Sequence, residues 1–143
     1  MFYTKQADAY VIRFEDGEAI PERFREFLVA RSVAGGSFSG IGAVSRARIA
    51  YFNVSKREYE DIELDEQLEV LSLAGNVALH DGEPLIHAHV TLGRRDGSVL
   101  GGHLRTGIVR PTLEIILRVI SAPLERAVEP EYGLPALKLE NRF

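Results

Sequence analysis

Apolar and polar positions alternate two by two through most of this chain, and the period lengthens once. Ala9-Tyr-Val-Ile-Arg-Phe-Glu15 is rich in aromatic and β-branched residues and predicts a strand that Asp16-Gly17 ends. Over 18–30 the rhythm becomes helical. Ile20, Phe24, Phe27, Leu28 and Arg31 fall at helical spacing, Glu22, Arg23, Arg25 and Glu26 lie elsewhere around the turn, and Pro21 suits a first turn. Gly35-Gly-Ser-Phe-Ser-Gly-Ile-Gly-Ala43 then packs four glycines into nine residues. It lacks the Lys-Ser/Thr of a phosphate-binding P-loop and misses the dinucleotide spacing, so close backbone packing is the preferred reason for its glycines.

Alternation returns from Ala43 to Asn53 and predicts a strand. The acidic run Glu58 to Leu64 predicts an edge strand, where its carboxylates meet water. Gln67 to Leu79 predicts a longer, more buried strand, bent at Gly75. Asp81-Gly82 is a hairpin turn into Pro84-Leu-Ile-His-Ala-His-Val-Thr-Leu-Gly93, and Asp96-Gly97 turns the chain back toward Val99-Leu100. Thr106 to Val109 follows, then Pro111 to Ile120, whose β-branched core fits a buried strand and whose pattern alone also admits a short helix. The proline-containing tail ends in a short strand, Ala136 to Leu139. One helix among many strands joined by short turns predicts an α+β fold: a single domain over 1–143 with a largely antiparallel sheet.

Three of the four histidines fall in one short region. His87 and His89 are two apart in a predicted strand, so both imidazoles point the same way, about 7 Å apart along the chain. The hairpin at Asp96-Gly97 brings His103 beside them. Three neutral imidazoles on two neighbouring strands make a metal site, and zinc in such a site keeps a fourth position open for water or a small ligand. Nickel, copper and iron also accept imidazole. Ligand histidines hand their second ring nitrogen to an acceptor, for which Glu114, Glu83 and Asn76 are candidates. Were the site catalytic, the metal would acidify a bound water and Glu114 could serve as general base. His80, beside Asp81-Gly82, reads as a solvent-facing turn residue.

Composition adds limits. Among 143 residues there is no cysteine, which excludes disulfides and thiolate ligands. The net charge of -4 gives no general attraction to nucleic acid. Arg94 and Arg95, with Arg46, Arg48, Arg105 and Arg110, could still gather on one DNA-facing surface; the alternative is that they pair with the 21 acids. No early apolar run resembles a signal peptide and no stretch approaches the roughly 20 apolar residues that cross a bilayer, so a cytoplasmic protein is expected.

Leu68-Glu-Val-Leu-Ser-Leu-Ala-Gly-Asn76, Gly82-Glu-Pro84, His87-Ala-His89, Gly101-Gly-His-Leu104 and Thr112-Leu-Glu114, in that order, resemble the plants-and-prokaryotes-conserved (PPC) domain. Ser39-Gly-Ile-Gly-Ala43 and Tyr132-Gly-Leu134 fit it too. The resemblance implies an antiparallel-sheet domain assembled as a homotrimer, with His87, His89 and His103 at the family's metal-binding positions. In plants the domain follows AT-hook DNA-binding motifs; in prokaryotes it stands alone and is often labelled DNA-binding. This sequence has no Arg-Gly-Arg-Pro hook, so DNA binding by it is expected to be weak.

Overall fold

The structure, a computed structural model, describes residues 1–141. Its strands follow the alternation read above. An antiparallel pair, β1 (Phe2–Gln6) and β2 (Ala9–Glu15), begins it; β2 turns Tyr10, Ile12 and Phe14 inward. The two-residue strand β3 (Ala19–Ile20) leads into helix α1 (Glu22–Ala30). The helix is shorter than the period suggests, because Ala19 and Ile20 pair with a strand and Pro21 sits at the cap. Phe24, Phe27 and Leu28 form its buried face, and Phe24 meets Phe14 and Phe38 edge-on at 6.0 and 5.1 Å. Burying each such side chain contributes about 2 kcal/mol before ordering entropy is subtracted, so the helix is held by its contact with the sheet.

The remaining strands are β4 (Gly35–Asn53), β5 (Glu58–Leu64), β6 (Leu68–His80), β7 (Glu83–Gly93) and β8 (Val99–Val119), followed by a small hairpin, β9 (Arg126–Val128) and β10 (Pro135–Leu137). The main sheet runs β1-β2-β8-β7-β6-β4-β5, and β4 also pairs with β8. That extra pairing closes β8, β7, β6 and β4 into a ring around the core, with Leu113, Ile115 and Leu117 of β8 fully inside. The ladders of the main sheet are antiparallel.

Several expectations change in detail. The glycine-rich stretch is the first half of β4, with no phosphate-loop shape. Its glycines allow close strand approach: a Cβ on Gly40 would stand 2.6 Å from the Glu114 carbonyl oxygen. The irregularity in β6 lies between Val70 and Ser72, where Leu71 is the extra residue, and not at Gly75. Gly75 instead makes room for the Phe38 ring and the His87 carbonyl. Residues 106–109 and 111–119 are one continuous strand, which settles the helix-or-strand question over Pro111–Ile120 as strand. The terminal strand falls at Pro135–Leu137. The acidic β5 is an edge strand as read, bonded to β4 alone in the sheet path.

Candidate metal centre

The β7–β8 hairpin is pinned by its turn. Gly97 takes φ +83, the Arg94 amide donates to the Ser98 carbonyl (2.8 Å), and Asp96 Oδ1 accepts from the Ser98 amide and hydroxyl (2.9 and 2.6 Å). This fixes the register so that His89 lies directly opposite His103. Residues directly opposite in a ladder share a face, and His87, two residues from His89, joins them on the outside of the ring. Ala88 and Val90 point inward between and beyond them.

One nitrogen from each of His87, His89 and His103 lies within 4.8 Å of the others, and the His87 and His89 Nε2 atoms are 3.3 Å apart. Nitrogens sharing one tetrahedral zinc at about 2.0–2.1 Å stand about 3.3 Å from each other. His103 Nδ1 is buried with no hydrogen-bond partner. Burial drives the His103 pKa down to about 4, helped by the nearby His87, His89 and Arg105 and opposed by Asp61. Burial, then Arg126 and His89, hold His87 below the ordinary imidazole range. Three close-set imidazoles, with His87 and His103 held neutral by burial and one buried nitrogen unpartnered, are a donor set that fits a divalent ion.

The surroundings of the cluster come from three other elements. Tyr59 of β5 lays its ring against His103 (centroids 4.9 Å), and the Arg105 guanidinium lies 4.4 Å from the Tyr59 centroid, with its Nε donating to Asp61 (3.1 Å). On the other flank Asn76 of β6 faces His87 directly. Its Oδ1 accepts a bond from Arg126 Nη2, and Arg126 Nη1 donates to the Pro135 carbonyl (2.7 Å). The tail reaches this place because the Leu79 amide donates to the Leu124 carbonyl (2.7 Å) and Leu79 bridges Glu125.

Of the three candidate acceptors, only Asn76 is beside the histidines, and its carbonyl oxygen is taken by Arg126. Glu83, the first residue of β7 and four positions before His87, pairs with Arg25 of α1 (3.0 Å). Glu114 lies eleven residues beyond His103 on β8, on the order of 30 Å of strand, across the ladder from Arg13 and Ile41. His80 ends β6 half-buried, with its Nδ1 enclosed and unpartnered, so it is not the solvent-facing residue expected. The arginines are mostly engaged: Arg94 with Glu66 (2.9 Å), Arg48 with Asp61 and Glu63 (3.8 and 3.7 Å), Arg105 with Asp61, and Arg110 with Asp16 (2.9 Å). Arg95 is exposed beside Arg94 in the hairpin turn. Tyr59, Asp61 and Arg126 escape sequence reading. Tyr59 and Asp61 look like ordinary edge-strand residues, and Arg126 comes from a proline-containing tail that no periodicity connects to β6.

A ring-closed antiparallel sheet with one helix and an exterior three-imidazole cluster defines a small α+β protein with a candidate metal centre. The chain belongs to the Plants and Prokaryotes Conserved (PCC) domain family, the PPC family named above, whose profile matches residues 1–121. It is similar to a PPC protein of Pyrococcus horikoshii, 33% identical with a TM-score of 0.87 over 99% of this chain and 97% of that one. A metal-containing protein of Archaeoglobus fulgidus is 34% identical, TM-score 0.86, over 97% and 99% of the two chains. A Bacteroides thetaiotaomicron protein named for a suspected DNA-binding role is 28% identical, TM-score 0.93, over 96% of each. Among curated proteins the chain is 29% identical to a Synechococcus bifunctional protein GlmU over 140 residues, and it spans only 21% of that protein's length. No helix among the described residues is long and apolar enough to cross a membrane.

Proposed function

We propose that this chain binds a divalent metal ion, zinc by its all-imidazole donor set, through His87, His89 and His103, and leaves one position open for a small ligand. The observation that carries this is the mutual approach of three imidazole nitrogens within 4.8 Å on one outer sheet face. When bound, such an ion supplies Lewis acidity and lowers the pKa of a coordinated water. The chain's own part is to keep His87 and His103 neutral by burial, to hold the three imidazoles in register through the β7–β8 ladder, and to wall one side with Tyr59. The name of the Archaeoglobus fulgidus relative supports the reading.

Assembly as a homotrimer belongs to the same proposal. Its support is a set of exposed apolar side chains around Glu114 on the outer face of β2, β8, β4 and β6: Val11 (46% exposed) beside Ile116 (49%), with Ile41 (60%) opposite Glu114 and Leu71 (50%). A closed cyclic assembly gives each protomer a contact that covers such side chains. Binding to DNA is expected to be weak and without sequence preference, because Arg94 is ion-paired, only Arg95 of that pair is free among the described residues, and the net charge is -4. The test of the metal site is metal per chain after zinc loading and dialysis, on protein without a metal-binding tag. His87→Ala, His89→Ala and His103→Ala should each lose most of the ion while His80→Ala keeps it; equal stoichiometry in all four would remove these residues as ligands.

A further inference from the structure

The two arginines nearest the histidines differ in one respect. Arg105 has an acid partner, Asp61. Arg126 has none: its two Nη groups donate to neutral oxygens, those of Asn76 and Pro135, its Nε is buried without a partner, and no carboxylate among the described residues forms an ion pair with it. Yet Arg126 is only 8% exposed. A guanidinium so enclosed loses hydration that neutral acceptors only partly replace, and such a charge is costly unless an opposite one stands near.

Its position suggests where that opposite charge belongs. Asn76 and His87 are directly opposite across the β6–β7 ladder, so Asn76 is on the same outer face as the histidines, and Arg126 bonds to its side chain there. Arg126 therefore stands one side chain away from His87. A divalent ion held by three neutral imidazoles adds two positive charges beside it. With no carboxylate ligand in the donor set and none on Arg126, this flank of the face carries positive charge alone. An anion is the species that offsets it.

We propose that the open position of the metal centre takes a small oxyanion, a carboxylate or a phosphate group, one oxygen toward the ion and its remaining charge offset by Arg126. This rests on the metal reading above and adds to it the chemical class of the ligand. Arg126 is then a binding residue supplied by the tail, with Asn76 and the Pro135 carbonyl fixing its orientation. Arginine suits the task because it stays charged when buried and fixes its donors in a plane.

The test uses the full chain loaded with cobalt(II), whose visible bands report a change of ligand, titrated separately with acetate and with inorganic phosphate. In wild type, at least one of the two should shift the bands and saturate. Arg126→Met should weaken that oxyanion about tenfold or more, the scale of one charge-assisted hydrogen bond, while Arg126→Lys, which keeps the charge and loses the planar fork, falls between wild type and Arg126→Met. Because Arg126 also anchors the tail, a second readout uses wild type alone. In zinc-loaded, 15N-arginine-labelled protein the Arg126 Nε–H resonance should move with the same midpoint as the oxyanion titration. An Arg126→Met variant with unchanged oxyanion affinity, or an Arg126 resonance that stays still while the cobalt bands shift, would overturn the proposal, as would failure of both oxyanions to bind. Cobalt per chain, measured on the same samples, separates the two ideas. Full cobalt occupancy with oxyanion binding indifferent to Arg126 sinks this inference alone, whereas absence of cobalt sinks the metal reading and this one with it.

Discussion

Residues 99–105 of β8 put Leu100 and Leu104 toward the core and His103 outward, next to Tyr59 and across from His89; residues 109–119 put Val109, Leu113, Ile115 and Leu117 inward and Glu114 and Ile116 outward. Inward positions are even-numbered in the first half and odd-numbered in the second. The change of parity comes at Arg105, the extra residue where Arg48 pairs with Thr106 and Ile49 with Leu104. One inserted residue thus lets His103 and Glu114, an odd number of positions apart, both face out. The first half builds a polar centre against β7 and β5, and the second builds the core and, on its outer side, a set of exposed apolar side chains around Glu114 against β2 and β4. A shared face is not a shared site when a strand is this long, and Glu114 serves the other end.

Cutting into the core half should have the largest effect on the molecule and the least on the chemistry of the centre. Leu113→Ala should cost about 2–5 kcal/mol of stability by denaturant unfolding, since Leu113 is fully buried, while the folded fraction keeps its metal stoichiometry. Loss of metal from that folded fraction would mean the two halves are not separable. The reciprocal change, His103→Ala, should abolish the rise in melting temperature that zinc gives wild type and leave the metal-free protein folded.

Ile116→Asp probes the outer side of the core half. It should shift the mass seen by light scattering from the proposed trimer toward monomer, with metal per chain retained. An unchanged mass would show that this outer side is not an interface.

Acid should separate the halves more gently. Burial places the His103 pKa near 4 in the metal-free fold, below its unfolded value near 6.5. Between those values the unfolded chain binds the proton that the folded one refuses, so stability falls as pH drops from about 6.5 toward 4. Measured on metal-free protein, that slope should be shallower in His103→Asn, and an identical slope would mean that burial of His103 does not govern it. The smallest effect expected is that of Glu114→Gln: zinc affinity within about twofold of wild type, as its distance along the strand requires. A larger loss would bring Glu114 back as a partner of the centre.

Much of this was legible in the residues because it is local. Aromatic and β-branched residues marked β2, alternation marked the second half of β4, and polar or apolar runs bounded by turn signals marked β5 to β7. Asp96-Gly97 marked the turn, and the His87/His89 spacing with His103 past the turn marked the cluster that the structure gathers. What could not be read depends on contacts between distant segments. Ala19 and Ile20 follow the helical period, yet β8 claims them as a strand. Gly75 looked like a bend because glycine often marks one, and its actual use, clearance for the Phe38 ring, appears only when β4 lies beside β6. Arg126 became a neighbour of His87 only through the path of the tail, which nothing in its own pattern announces.

The closure of the ring has a further consequence, for the order of events in folding. The β4–β8 seam joins residues 36–50 to 103–119, so the chain must close a long loop before that ladder gives any return. Such non-local pairing is what slows folding in sheet proteins. The three histidines, by contrast, lie within the single β7–β8 hairpin, whose ladder needs only the short turn at Asp96-Gly97. The three imidazoles are therefore brought together by local strand pairing, while the seam that closes the ring around the core is the least local ladder in the sheet.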